Sequence, residues 1–152
     1  MDTLLPIAER VGALLKSRGD TIAVAESSSG GLISAALLAV PGASAYFLGG
    51  GVVYTLPSRL NLLAMPREEI VRSSEQSALF LARNARRQLD ATWGLAETGA
   101  AGPTGPAGRT FVAVTGPVEM AMHIETGLPD RVDNMRAFGR EALDLLARAL
   151  ES

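Results

Sequence analysis

The sequence predicts an α/β fold: a mixed, mostly parallel sheet of about five strands with helices on both faces. Three observations carry that expectation. Amphipathic helical stretches alternate with short β-branched runs along the chain. The run Thr21 to Ala25 is nearly all apolar, as a strand covered on both faces must be. Late in the chain, Thr110 to Thr115 and Val118 to Ile124, joined at Thr115-Gly116-Pro117, read as a hairpin that adds an antiparallel pair.

In chain order, Leu4, Ile7, Ala8, Val11, Leu14 and Leu15 recur at helical spacing, and Gly19 stands where a left-handed residue closes a helix. The strand Thr21 to Ala25 follows, then Glu26-Ser27-Ser28-Ser29-Gly30-Gly31 and a helix from Gly30 to Val40. Pro41-Gly42-Ala43-Ser44 breaks that helix. A second strand lies within 45–55, with Gly51 to Thr55 as its surest part. Glycines 49 to 51 imply that a ligand, a packed helix or a second subunit comes close there. Leu56 to Met65 is short and helical, and Pro66 with Arg67, Glu68 and Glu69 starts a further turn. A long helix spans Ser74 to Leu89, with Ala78, Leu79, Leu81, Ala82, Ala85 and Leu89 inward and Arg83, Arg86 and Arg87 on a solvated face. Ala91 to Thr98 forms a third strand and leads into a glycine- and proline-rich loop ending at Arg109. The last helix covers Asp130 to Leu150, burying Leu143, Leu146, Ala147 and Leu150. No repeat, linker or second domain interrupts residues 1–152, a length that buries a real core as one domain.

Composition narrows the chemistry. A chain 47% hydrophobic and 20% charged is that of an ordinary globular protein, and a net charge of -2 gives no electrostatic case for nucleic acid or an acidic membrane as partner. The absence of cysteine excludes disulfides, thiolate metal sites and a cysteine nucleophile. With His123 the sole histidine and Lys16 the sole lysine, no multi-histidine metal site forms, and neither a metal nor a cofactor is expected. The N-terminus shows no basic region followed by an apolar core, so a cytoplasmic location is expected.

The bend Glu26 to Gly31 has two readings: hydroxyl and carboxylate groups before a helix cap it, or the free N–H groups of the turn receive an anion. The loop Thr98-Gly99-Ala100-Ala101-Gly102-Pro103-Thr104-Gly105-Pro106-Ala107-Gly108 is likewise either a rigid turn or a cradle of backbone N–H groups for a phosphate.

These two segments, with Pro41-Gly42-Ala43-Ser44 and Val53-Tyr54 between them, resemble the C-terminal domain family of the competence/damage-inducible protein CinA over essentially the whole chain. The family's first motif commonly reads AESCTGG, its second TGIAGPGG, and its turn PGSS. The resemblance implies a three-layer α/β/α sandwich, a tendency to dimerise, and nicotinamide-nucleotide amidohydrolase activity, in which the carboxamide nitrogen of nicotinamide mononucleotide leaves as ammonia. It implies a pyridine nucleotide as the small-molecule partner and Ser27 as nucleophile. Ser28 and Ser29 stand where the family has Cys and Thr, and Tyr54 matches its tyrosine. The family's lysine, five residues after that tyrosine, is Arg59. Arginine keeps its charge and cannot serve as a base. Glu26, Glu97 and His123 are then the remaining candidate bases, with Glu97 also a candidate ion-pair partner for Arg59. Substrate contacts are expected from Ser28, Ser29, Gly30, Gly31, Thr98, Gly99, Gly102, Pro103 and Gly105. Asp130-Arg131 and Arg136 resemble the family's GDR and the arginine after it.

Overall fold

A computed structural model describes residues 1–152 and gives the element order α1 (Leu5–Arg18), β1 (Ile22–Glu26), α2 (Leu32–Leu38), β2 (Phe47–Val52), α3 (Leu56–Asn61), α4 (Glu75–Leu89), β3 (Trp93–Ala100), β4 (Arg109–Thr115), β5 (Met120–Glu125) and α5 (Arg131–Glu151). The strands form one sheet in the order β2-β1-β3-β4-β5. β1 pairs in parallel with β2 and β3, while β3 with β4 and β4 with β5 are antiparallel. Four strands therefore point the same way and β4 alone runs against them.

β1 is buried at every position, which its place between β2 and β3 requires. Its alternation divides the core. Ile22 and Val24 join Trp93, Leu95, Val112 and Val114 under α1, α2 and α5, in a cluster of 23 buried residues. Ala23 and Ala25 join Ala96 and Ala113 under α4, in a cluster of only 12. The second layer is thinner and its sheet face carries small side chains, so clefts remain on that side. No helix is long and apolar enough to cross a membrane.

Two strands, β2 and β3, differ in extent from the sequence expectation in ways that bear on the site. β2 spans Phe47–Val52, so the three glycines lie inside the strand, and Val53 to Thr55 form its exit. A Cβ on Gly50 would collide with the Ser34 hydroxyl of α2, and one on Gly49 would lie 2.9 Å from Leu89 of α4. Helix packing accounts for both glycines. β3 continues through Thr98, Gly99 and Ala100, because these pair with Phe111, Thr110 and Arg109 of β4. A Cβ on Gly99 would meet the backbone of Arg109 and Thr110, so close strand approach explains that glycine too. Of the α4 arginines, Arg83 and Arg87 are exposed as expected, Arg83 pairing with Glu119, whereas Arg86 is half-buried and its Nε donates to the carbonyls of Ala91 and Thr92 at 3.2 and 3.0 Å. Leu89, expected to face inward, is 42% exposed beside the thin edge of this layer.

Candidate functional site

The bend after β1 lies where the parallel strands end. Gly30 and Gly31 take φ of 66° and 98°, which favours glycine, and turn the chain into α2. Gly31, at the N-cap of α2, has no side chain to cap it. Glu26 does so from the strand: Oε1 accepts from Ser29 Oγ at 2.7 Å, Gly31 N at 3.0 Å and Ile33 N at 3.1 Å, and Oε2 from Ser34 N at 2.8 Å. Glu97 of β3 holds the other side of the bend. Its Oε1 accepts from Ser27 N at 3.2 Å and Ser29 N at 2.8 Å, and its Oε2 from Thr110 Oγ1 at 2.7 Å and from Ser28 Oγ. Both carboxylates are fully buried, and each takes four donors, about as many as a carboxylate can accept.

This arrangement revises several expectations for the bend. Glu26 is the cap of α2, and both carboxylates are engaged in holding the bend. Ser28 and Ser29 spend their hydroxyls on the two acids. Of the turn N–H groups expected to receive an oxyanion, Ser29 and Gly31 serve the acids and Gly30 N donates to Ser27 O at 3.1 Å. Ser28 N–H is the one left uncommitted.

The Ser27 hydroxyl is bound by no protein group. Ser27 lies in the bend directly after Glu26, the last residue of β1. Its backbone N–H donates to Glu97, the neighbour of Thr98 on β3, which brings the end of β1 close to Thr98. Thr98 is buried and accepts from Arg59 Nη2 at 3.1 Å, while Ser73 Oγ lies 3.1 Å from the same hydroxyl. Arg59 reaches this point because Thr55 and Ser58 form a capping box that fixes the start of α3 one turn before it. Arg59 Nε donates to Val53 O at 3.0 Å. Two of its five N–H groups are thereby used and three stay free. Burial pushes the Arg59 guanidinium below its ordinary value, and the charge of Glu97 acts against that shift. No ion pair forms between the two residues, so the expected partnership is through space.

The remaining candidates sit farther out. Tyr54 is 57% exposed, and its hydroxyl has no partner in the protein. His123 stacks on Phe111, ring centroids 5.0 Å apart at 21°, in a structural role. Lys16 donates to Pro41 O at 2.7 Å, on the outside of α1. In the glycine loop, Gly102 O accepts from Arg131 Nη1 and Ala101 O accepts from Asn134 Nδ2 at 2.9 Å, which ties this end to α5. Pro103 and Gly105 are exposed. Gly99 lines a cleft of about 430 Å³ with Ala100, Pro106, Arg72, Ser73, Arg109 and Phe111. Ser73, Arg72, Thr110 and Phe111 carry no motif and had no signal in the sequence. A second cleft, of about 380 Å³, lies over β2 between Leu48, Leu62 and Leu89, and is apolar.

What this geometry offers is a free hydroxyl, one free backbone N–H and a buried guanidinium with open donors, which together suit an electrophilic carbonyl whose oxygen gains negative charge. The CinA C-terminal domain model matches residues 4–150. The chain is 39% identical over 163 aligned residues to a CinA-like protein of Synechocystis sp., covering 96% of this chain and 38% of that protein. It is 40% identical to a CinA-like protein of Anaeromyxobacter sp., covering 95% and 37% respectively. The chain thus spans well under half the length of these curated relatives. Among solved structures, the competence/damage inducible protein CihA of Agrobacterium tumefaciens superposes with a TM-score of 0.90 at 30% identity, covering 98% of this chain and 96% of that one. A competence-damaged protein (CinA) superfamily protein of Escherichia coli gives 0.89 at 25% identity, covering 97% and 91%. With the family model matched over nearly its whole length and the fold shared with these structures, the chain belongs to the CinA C-terminal domain family.

Proposed function

We propose that this site hydrolyses the carboxamide of nicotinamide mononucleotide to nicotinate mononucleotide and ammonia. The observation that carries the reading is the Ser27 hydroxyl left without a partner at the end of β1, next to the strand whose Thr98 binds the buried Arg59. Ser27 Oγ adds to the carboxamide carbon, and the charge that develops on its oxygen is met by Ser28 N–H and Arg59. The C–N bond breaks, the serine proton leaves with the nitrogen as ammonia, and water cleaves the acyl ester to release the acid and restore serine. Membership in the family supports this chemistry, and the preformed donors support its transition state.

A second reading, a pyridine-nucleotide binding module without turnover, has one specific observation behind it. No side chain is hydrogen-bonded to the Ser27 hydroxyl to relay its proton: Glu26 and Glu97 each accept four bonds from other groups, and Arg59 stays charged. Ammonia release from nicotinamide mononucleotide separates the two. Release above that of Ser27→Ala supports the amidohydrolase. Release equal to it, with the nucleotide still bound, leaves the binding module. Arg59→Lys restores a group that can lose its proton, and a rise of roughly 10²-fold, the usual scale of a positioned base, is expected.

A further inference from the structure

We infer that the free edge of β2 is an interface for a second copy of this chain, the two β2 strands pairing antiparallel about a two-fold axis. β2 stands at the end of the sheet, so only β1 meets it and its other edge is open. Open edges are ordinarily guarded by charge, by proline or by a covering segment, because their bare N–H and C=O groups recruit other strands. β5, at the opposite end, has such a guard in His123 and Glu125, both exposed. β2 has none. No charged residue occurs anywhere between Glu26 and Arg59, and Phe47–Val52 holds no proline.

The most specific residue is Gly51. Of the 16 glycines it alone has neither a positive φ nor a neighbour that would obstruct a Cβ, its nearest contact being Val53 Cγ1 at 3.8 Å. Gly49 and Gly50 are owed to α4 and α2, but nothing within the chain requires glycine at 51. Glycine weakens a strand relative to a β-branched residue, and close approach of another backbone from outside supplies the reason for it here. The cleft that Gly51 faces, about 380 Å³, has Gln88 as its only polar side chain. A polar small molecule would find little there to orient it, whereas apolar side chains of a partner fill it.

The surface is also large enough. Leu48, Val52, Leu62 and Leu89, with Tyr54 and Leu56 just past the strand, expose on the order of 600 Å² of side chain, and the backbone edge brings this toward the roughly 800 Å² that each partner buries in a standard interface. A second copy fits because the surface complements itself. A strand edge offers donors and acceptors alike, a two-fold axis sets each opposite its counterpart, and an uncharged surface meets no repulsion from its own image. None of this depends on what the site turns over.

Sedimentation equilibrium of the purified chain between about 1 and 100 µM tests the inference, with wild type expected to dimerise within that range. Gly51→Val adds strand propensity and meets no clash inside the chain, so it folds by circular dichroism and blocks only the partner. Val52→Lys places the missing guard on the edge. Each is expected to raise the dimer Kd about tenfold or more, whereas Val118→Lys, the same kind of change in the turn ahead of β5, shifts it less than about twofold. Amide hydrogen exchange read by mass spectrometry locates the contact: peptides spanning 47–52 are expected to exchange about tenfold more slowly in the wild-type dimer than in Gly51→Val. A wild type that stays monomeric throughout overturns the inference. So does a dimer that survives both substitutions, or one in which β2 gains no protection.

Discussion

Replacing Glu26 by glutamine distinguishes a structural acid from a catalytic one. The carboxylate takes three donors on Oε1 and Ser34 N–H on Oε2, and three of these four donors are backbone groups at the start of α2. Glutamine keeps one oxygen and places an NH₂ against an N–H. The loss of one charge-assisted bond costs about 1.5–3 kcal/mol. The negative charge at the helix N-terminus is worth a further 0.3–1 kcal/mol or so. Relief from burying a charge offsets part of this, and about 2 kcal/mol of destabilisation is expected. Glu26→Ala orphans all three N–H groups and costs about 4 kcal/mol, near half of a typical domain's stability. Urea unfolding followed by circular dichroism reads both values, with Ser27→Ala as a neighbouring control that shifts less than about 0.5 kcal/mol. A Glu26→Gln protein as stable as wild type that releases no ammonia would refute the cap and make Glu26 the base.

Other expectations follow from packing and charge. Glu119, clipped to Arg83 at 2.6 and 2.8 Å and to Thr115 at 2.6 Å, is held down from its ordinary 4.5 to about 2, first by the Arg83 bond and then by the Thr115 hydroxyl. A depressed carboxylate stabilises the fold above its unfolded value, and that contribution fades as pH falls from about 4.5 toward 2. The pair is 42% and 39% exposed, so Glu119→Gln is expected to cost no more than about 1 kcal/mol at neutral pH. Unfolding free energies measured from pH 7 downward should converge for the two proteins, and a gap that widens on acidification would contradict this. Gly94→Ala is expected to be far worse, since its Cβ would overlap the Ala82 carbonyl oxygen and lie 2.9 Å from Arg86 Cβ. Lifting α4 off β3 costs about 3 kcal/mol, or roughly 6–12 °C in Tm. Gly127→Ala, with φ of 71° and open space around it, is the control, at about 1 kcal/mol. Equal Tm values for the two would show that the β3–α4 contact is looser than described.

The parts legible in the sequence are those set by local pattern. The apolar run of β1, the period of α1 and α5, and the glycine pair that opens α2 depend on neighbours a few residues away. β2 was read too far along the chain because Gly49 to Gly51 have no intrinsic preference for a strand, and what makes them one is the fit of Ser34 and Leu89 against them. Gly99 and Ala100 read as loop for the same reason, and pairing with Thr110 and Arg109 decides otherwise. Ser27, Arg59 and Thr98 stood out as candidates, and the structure gathers them at one end of the sheet. The division of labour between Glu26 and Glu97 was hidden, since it depends on donors from three elements. Arg72 had no signal at all: it becomes a cleft residue only because Ser73 beside it bonds to Thr98.

The charges at the site follow from how its acids are neutralised. Two buried carboxylates sit on either side of one bend, yet neither pairs with the buried arginine six residues beyond Val53, whose carbonyl that arginine binds. Helix N–H groups satisfy Glu26; turn N–H groups and hydroxyls satisfy Glu97. Had Glu97 paired with Arg59, the guanidinium would be occupied and the site neutral toward a ligand. Because dipoles do that work instead, the charge of Arg59 is left open beside Thr98, whose hydroxyl also meets Ser73 on the wall of the neighbouring cleft. A lysine at position 59 would give the same charge and also a removable proton, whereas arginine gives only the charge. The site is therefore built first to hold negative charge, and any turnover is limited by where the serine proton goes.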